Sequence, residues 1–234
     1  MEVVLSERVK EIIEQQQPGG DVLVKTLELV RSILEPKEDR YDMLYRYEHS
    51  LRVAAIGQRI AREESLPEVP LMMACLLHDV GYPECRSPEE LRSHPKIGAY
   101  ITRQYLNRIG FEEPLGTSIC KAVLIHDRVD DLPPEATAFE LSVRDADDIE
   151  RSDAMRMCIW GYHDIGERSA AEVMEICEKR LKLTESSRSR ICGTETARKM
   201  WLEELEMHRS FFERLYRQMQ TTGETERFIR RETL

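Results

Sequence analysis

The stretch CLLHDVGYP (residues 75–83) carries an apolar run straight into a histidine, an aspartate and a glycine. Leu71, Cys75 and His78 follow one another at helical spacing, so they share one face of a helix. Asp79 lies about 100° further round, close enough for both polar side chains to reach one point near the helix end. Such a stripe is either a helix end that happens to contain a histidine or part of a polar centre. The remaining histidines decide between these.

The alignment recurs on three other segments. In YDMLYRYEHSLRVAAIGQRIAREE (41–64), His49 stands in line with Val53, Ile56 and Ile60, while Leu44, Tyr47, Leu51 and Ala55 form a second stripe. Two stripes predict a helix buried on both sides. His126 ends a stripe of Leu115, Ile119 and Ala122, and His94 precedes Ile97 and Ile101. Pro95 suits a first helical position, which leaves His94 at or beside the N-cap. One buried imidazole is commonly satisfied locally. Four without partners would be costly, and a shared polar centre satisfies them together. Neutral imidazoles and carboxylates that converge inside a helical bundle are what transition metals bind.

RDADDIE (144–150) offers three candidates for a further carboxylate, Asp145, Asp147 and Asp148. Asp147 follows Phe139 and Val143 on one stripe and is expected to point inward. Asp145 shares a weaker stripe with Leu141 and Ile149, so both stay open. A second His-Asp pair, His163-Asp164, has only His208 downstream, inside an amphipathic helix, and reads as a helix-end or turn pair.

Helical periodicity dominates elsewhere too. Helices are expected at 5–16, 21–35, 41–64, 68–80, 95–109, 113–127, 137–150, 152–160, 170–182 and 194–221. QPGGD (17–21), EPKED (35–39), GYPECRSP (81–88) and DDLPPEAT (130–137) read as breaks, and the tail TTGETERFIRRETL (221–234) as a polar segment that frays. The expectation is an all-α helical bundle, one domain over 1–234. Its core spans about 41–160, with flanking helices in 1–40 and 165–234. Strands and the glycine-rich signatures of Rossmann and P-loop folds are absent.

At 234 residues the chain is long enough for one sizeable core, and it is 41% hydrophobic and 33% charged. No run approaches the ~20 apolar residues of a membrane span, and the N-terminus has no secretory pattern. The six scattered cysteines form no C-x-x-C motif, which points to a reducing, cytoplasmic compartment. A net charge of −10 argues against non-specific nucleic-acid binding. Trp160 and Trp201 read as core. The last helix packs on the bundle or forms a homodimer seam.

The pattern His49 … His78-Asp79 … Asp147 resembles the HD superfamily of metal-dependent phosphohydrolases. YRYEHSLRVA looks like the family's first-histidine helix, ACLLHDVGYP its apolar-run-then-HD signature, and RDADDIE the segment with the last aspartate, which falls on Asp147. The resemblance covers roughly 45–150. SHPKIGAYI and AVLIHD are similar to the extra histidine segments of two-metal members such as the HD-GYP phosphodiesterases. This chain differs from that group in its single histidine at 126 and in Tyr82, where a lysine is usual.

The resemblance implies an HD-type bundle holding one or two divalent ions (Mn, Fe, Co, Ni, Mg or Zn). One would be held by His49, His78, Asp79 and Asp147. The other would be held by His94 and His126, with Asp79 as a bridge. It further implies hydrolysis of a nucleotide or other small phosphorylated substrate by a metal-activated water, with Asp79 and His78 catalytic. Among the basic residues near these elements (Arg46, Arg52, Lys96, Arg128 and Arg144), Lys96 and Arg52 are expected to hold the phosphate first. A di-iron oxygenase with the same ligand set and a non-catalytic metal or nucleotide sensor are the competing functions.

Overall fold

The structure is a computed structural model. It describes residues 3–35, 41–85, 87–128 and 132–232, with the side chains of all these except 41–44, 88, 160, 162–164 and 232. Every regular element among the described residues is helical, as the periodicity predicts. The helices are α1 (Glu7–Glu14), α2 (Val22–Leu34), α3 (Tyr41–Glu63), α4 (Glu68–Leu77), α5 (Pro88–Leu91), α6 (His94–Ile109), α7 (Leu115–Ile125), α8 (Ala138–Glu150), α9 (Ala154–Asp164), α10 (Ala170–Ser186) and α11 (Glu195–Glu232).

The helix ends follow local chemistry. Asp21 caps α2 by accepting from the backbone N–H groups of Leu23 and Val24. Thr137 and Glu140 close the start of α8 reciprocally, each side chain accepting from the other's backbone N–H. Gly110 ends α6 with φ 67°, the left-handed conformation glycine adopts without a steric penalty. Two expectations need correction. The short α5 lies at the end of a stretch read as loop, started by Ser87, whose side chain accepts from Glu90 N. The polar tail does not fray near 221, because α11 continues to Glu232. Thr221, Thr222 and Thr225 donate to carbonyls one turn back, and Glu226 pairs with Arg230 at 2.7 Å.

The chain forms two compact units, 1–150 with 192–197 and 151–191 with 198–234. In the first, α4 is the centre and packs against α2, α3, α7 and α8. Every residue from Met73 to Gly81 is buried. The helix buried on both sides is therefore α4 and not α3. Leu51 and Ala55 of α3 share an exposed face with Glu48, Arg59 and Arg62, whose charges stay in water. The opposite face of α3 buries His49, Val53, Ile60 and Ala61 against α4 and α8. Residues 192–197 are clasped to this unit at two points. Gly193 N donates to Asp145 Oδ2 at 2.6 Å, and Thr196 N donates to Glu64 Oε1 at 2.6 Å. Ser6, the α1 N-cap, donates through N and Oγ to the two oxygens of Glu84, in the 3-10 turn that follows the HD pair.

In the second unit, Val173 and Cys177 of α10 and Phe212 of α11 form a buried core, bordered by Met157, Leu215 and Met219. Trp201 packs as expected, its indole N–H donating to Ser187 O at 3.0 Å. The Trp160, His163 and Asp164 side chains lie outside the described ones. His208 donates through Nε2 to Ser152 O at 2.7 Å. Among the described residues no helix is long and apolar enough to cross a membrane. None of the six cysteines is in a disulfide.

Candidate metal centre

Three of the four histidines are oriented by one local device. His78 and His126 are the C-cap residues of α4 and α7, where the last carbonyls have no partner within the helix. Each ring folds back and donates Nδ1–H to the carbonyl three residues earlier, Cys75 O and Val123 O, both at 2.7 Å. His94, on the first residue of α6, does the same to Leu91 O at 2.7 Å. A carbonyl oxygen can only accept, so these bonds place the proton on Nδ1 and leave Nε2 as the inward-facing atom.

His49 arrives from the middle of α3 and has no free carbonyl to reach. Its Nδ1 meets Glu150 Oε2 at 2.5 Å instead, and Glu150 Oε1 accepts from Arg52 Nε at 2.5 Å. Glu150 is a ligand-orienting residue that the sequence reading passed over. Its signal was its place one helical turn after Asp147.

Two imidazole pairs result. His49 and His78 approach Nε2 to Nε2 at 3.2 Å, and His94 and His126 at 3.0 Å. Asp79 stands between them. Its Oδ1 lies 3.5 and 3.6 Å from His94 and His126 Nε2, and its Oδ2 lies 3.5 and 3.9 Å from His78 and His49 Nε2. Asp147 Oδ1 lies 3.0 Å from His49 Nε2 and 3.8 Å from His78 Nε2. All six residues are buried, and they form three overlapping groups of the kind that could hold a metal ion. The other candidate, Asp145, faces away. Arg144 and Gly193 hold its two oxygens.

The donor set fits a cation. Two neutral Nε2 lone pairs at hydrogen-bond distance repel unless a proton or a metal lies between or beside them. The electrostatics follow that rule. Burial works against a charged His49, but its bonds to Asp147 and Glu150 win and push it up to about 9. Burial pushes its neighbour His78 down to about 4. In the second pair, burial is outweighed at His126 by the bond to Asp79, which raises it, whereas burial lowers His94. Burial also opposes the Asp79 charge, yet His78, His126 and Arg46 hold that carboxyl well below the usual range.

Gly81 makes the arrangement possible. A Cβ there would lie 2.2 Å from His94 O and 2.7 Å from Gly98 N, so the turn after the HD pair packs against the bare backbone of α6. Tyr82 then stacks on the His94 ring at 4.0 Å between centroids, and the Arg46 guanidinium lies 3.3 Å from the Tyr82 ring centre. Arg46 Nη1 also donates to Asp79 Oδ2 at 3.0 Å. Of the two basic residues singled out first, Arg52 is half-buried beside Glu150, and Lys96 is exposed on the first turn of α6. Arg128 is exposed, and Arg144 is buried against Asp145.

The geometry agrees with the comparisons. The HD domain family model matches residues 46–155, the part of the chain that carries these motifs. The fold is similar to the crystal structure of a predicted HD superfamily hydrolase from an uncultured Thermotogales bacterium. The identity is 20%, the likeness covers 90% of this chain and 98% of that one, and the TM-score is 0.57. No curated protein matches the sequence.

Proposed function

We propose that the protein is a metal-dependent phosphohydrolase that cleaves a nucleotide or another small phosphoester. The observation that carries this reading is the position of Asp79, a single carboxylate with one oxygen toward each imidazole pair. His49, His78, Asp79 and Asp147 would hold one divalent ion, and Asp79, His94 and His126 a second. Bound there, such ions supply Lewis acidity and lower the pKa of coordinated water from about 15.7 toward ~7.

The chain's own residues do the rest. His78 would act only through the ion it holds, while Asp79 would orient the attacking water and accept its proton. Buried Arg46 Nε and Arg52 Nη2 have no hydrogen-bond partner among the described residues. Buried donors of this kind are normally satisfied, and phosphoryl oxygens would satisfy them. Lys96, in the first turn of α6, adds a positive charge at a helix N-terminus.

The test is metal analysis of the purified protein, then a phosphate-release screen over nucleotides and simple phosphoesters with several divalent metals. Turnover that disappears in His78→Ala and Asp79→Ala is the expected result. Normal turnover in both variants overturns the reading, as does oxygen uptake by an iron-loaded protein that releases no phosphate.

A further inference from the structure

His49 differs from the other three histidines in what holds its outward nitrogen. His78, His94 and His126 each lean on a neutral backbone carbonyl in their own segment. His49 leans on a carboxylate 101 residues away in sequence, and a guanidinium holds that carboxylate in turn. The chain Arg52–Glu150–His49 is buried at its carboxylate, which is 2% exposed. A carboxylate behind a ligating imidazole fixes the ring and makes its inner nitrogen a stronger donor than a carbonyl does.

Charge points the same way. The half formed by His49 and His78 is faced by two carboxylates, Asp79 and Asp147, with Glu150 behind. The half formed by His94 and His126 shares Asp79 and feels Asp147 and Asp127 as well, but its outer nitrogens meet carbonyls and not a carboxylate. We infer that Glu150, gripped by Arg52, is the positioning residue of His49, and that this relay makes the His49 half take up a divalent cation first and more tightly. The inference rests on the proposed reading of the centre as a metal site.

Glu150 is one bond removed from the inner nitrogens, so its effect acts through His49. Arg52 acts one bond further out. It stops the Glu150 carboxylate from turning away, while its buried Nη2 has no hydrogen-bond partner among the described residues. A lysine at 52 keeps the charge but loses the planar guanidinium whose Nε meets Glu150.

Titration of metal-stripped protein with Mn2+ alone, followed by dialysis and metal counting, tests this. Wild type should take up a first equivalent more tightly than a second. Glu150→Gln keeps the side chain's shape and removes its charge. It should weaken the first equivalent by about 10–100-fold and change the second less. Arg52→Lys should weaken the first equivalent by a smaller factor. His94→Ala should leave the first equivalent and remove the second. Co2+ loading gives an independent readout, since the visible spectrum of the first equivalent should change in Glu150→Gln and not in His94→Ala. Circular dichroism checks that each variant is folded.

A folded Glu150→Gln protein that binds its first Mn2+ within about 3-fold of wild type overturns the inference, as does loss of the first equivalent in His94→Ala. If wild-type protein takes up no cation at all, the reading of the centre as a metal site fails as well.

Discussion

His49 and His78 face each other at 3.2 Å through their Nε2 atoms, and their surroundings drive them apart in protonation, to about 9 and about 4. At neutral pH one proton sits in this pair, and it belongs to His49.

That proton makes both stability and metal uptake depend on pH. The folded value of His49 lies above its ordinary 6.5, so its stabilising contribution is complete below about 6.5 and is lost as pH rises through about 9. The loss is on the order of 3 kcal/mol. His78 works in the opposite sense, since charging it opposes folding as pH falls from about 6.5 toward 4. A cation must replace the His49 proton, so its affinity should rise across the upper window by up to about tenfold per pH unit. Calorimetry of chelator-treated protein and Mn2+ titrations near pH 7 and near pH 9 measure the two effects. An affinity that is flat with pH would contradict this account.

Gly81→Ala should damage fold and centre together. Its methyl would meet the backbone of His94 and Gly98, which cannot rotate aside. Moving α6 costs about 1–3 kcal/mol and shifts His94 and the ring of Tyr82. A lower melting temperature and weaker uptake of the second cation are expected. A melting curve that superimposes on wild type would show that α6 yields freely.

Arg46→Ala removes the donor to Asp79 Oδ2 and the cation on the Tyr82 face. A charge-assisted hydrogen bond is worth about 1.5–3 kcal/mol, so phosphate release should fall about 10–100-fold. Steady-state kinetics on whichever phosphoester turns over measures it. Arg46→Lys should recover part of the loss, because the charge remains and the stacking does not.

The second unit carries its own pH response. Glu204 on α11 is partly buried, and that burial, with Asp153 and Glu203 nearby, pushes its carboxyl up to about 7. A carboxyl raised in the folded state favours the fold while protonated, so it stabilises at low pH and that contribution is lost as pH rises through about 7. Glu204→Gln should raise the melting temperature near pH 8 and leave it unchanged near pH 4. Equal shifts at both pH values would assign the effect to packing instead.

The helices and the inward-facing histidines were legible because both follow from spacing. A stripe every three or four residues marks a buried face whatever the tertiary partners are, and each of the four histidines ends or begins one. Periodicity failed where it met other physics. It placed α3 at the centre because it counted Leu51 and Ala55 without weighing Glu48, Arg59 and Arg62 on the same face. It ended α11 early because threonines and a glycine read as a tail, whereas local hydrogen bonds and an ion pair carry the helix on. Glu150 was missed because the stripe argument asks which residues point inward, and it says nothing of what stands behind them. Arg46 was placed below Lys96 and Arg52 because its stack on Tyr82 depends on the 3-10 turn, which no spacing rule describes.

His78 and His126 terminate α4 and α7 with the same rings that face the centre. Each imidazole therefore has one nitrogen committed to the scaffold whether or not cargo is present. An ion leaving such a centre would leave both helix ends still closed, so its exchange would be a change of occupant in a standing frame, with no segment to unwind and rebuild.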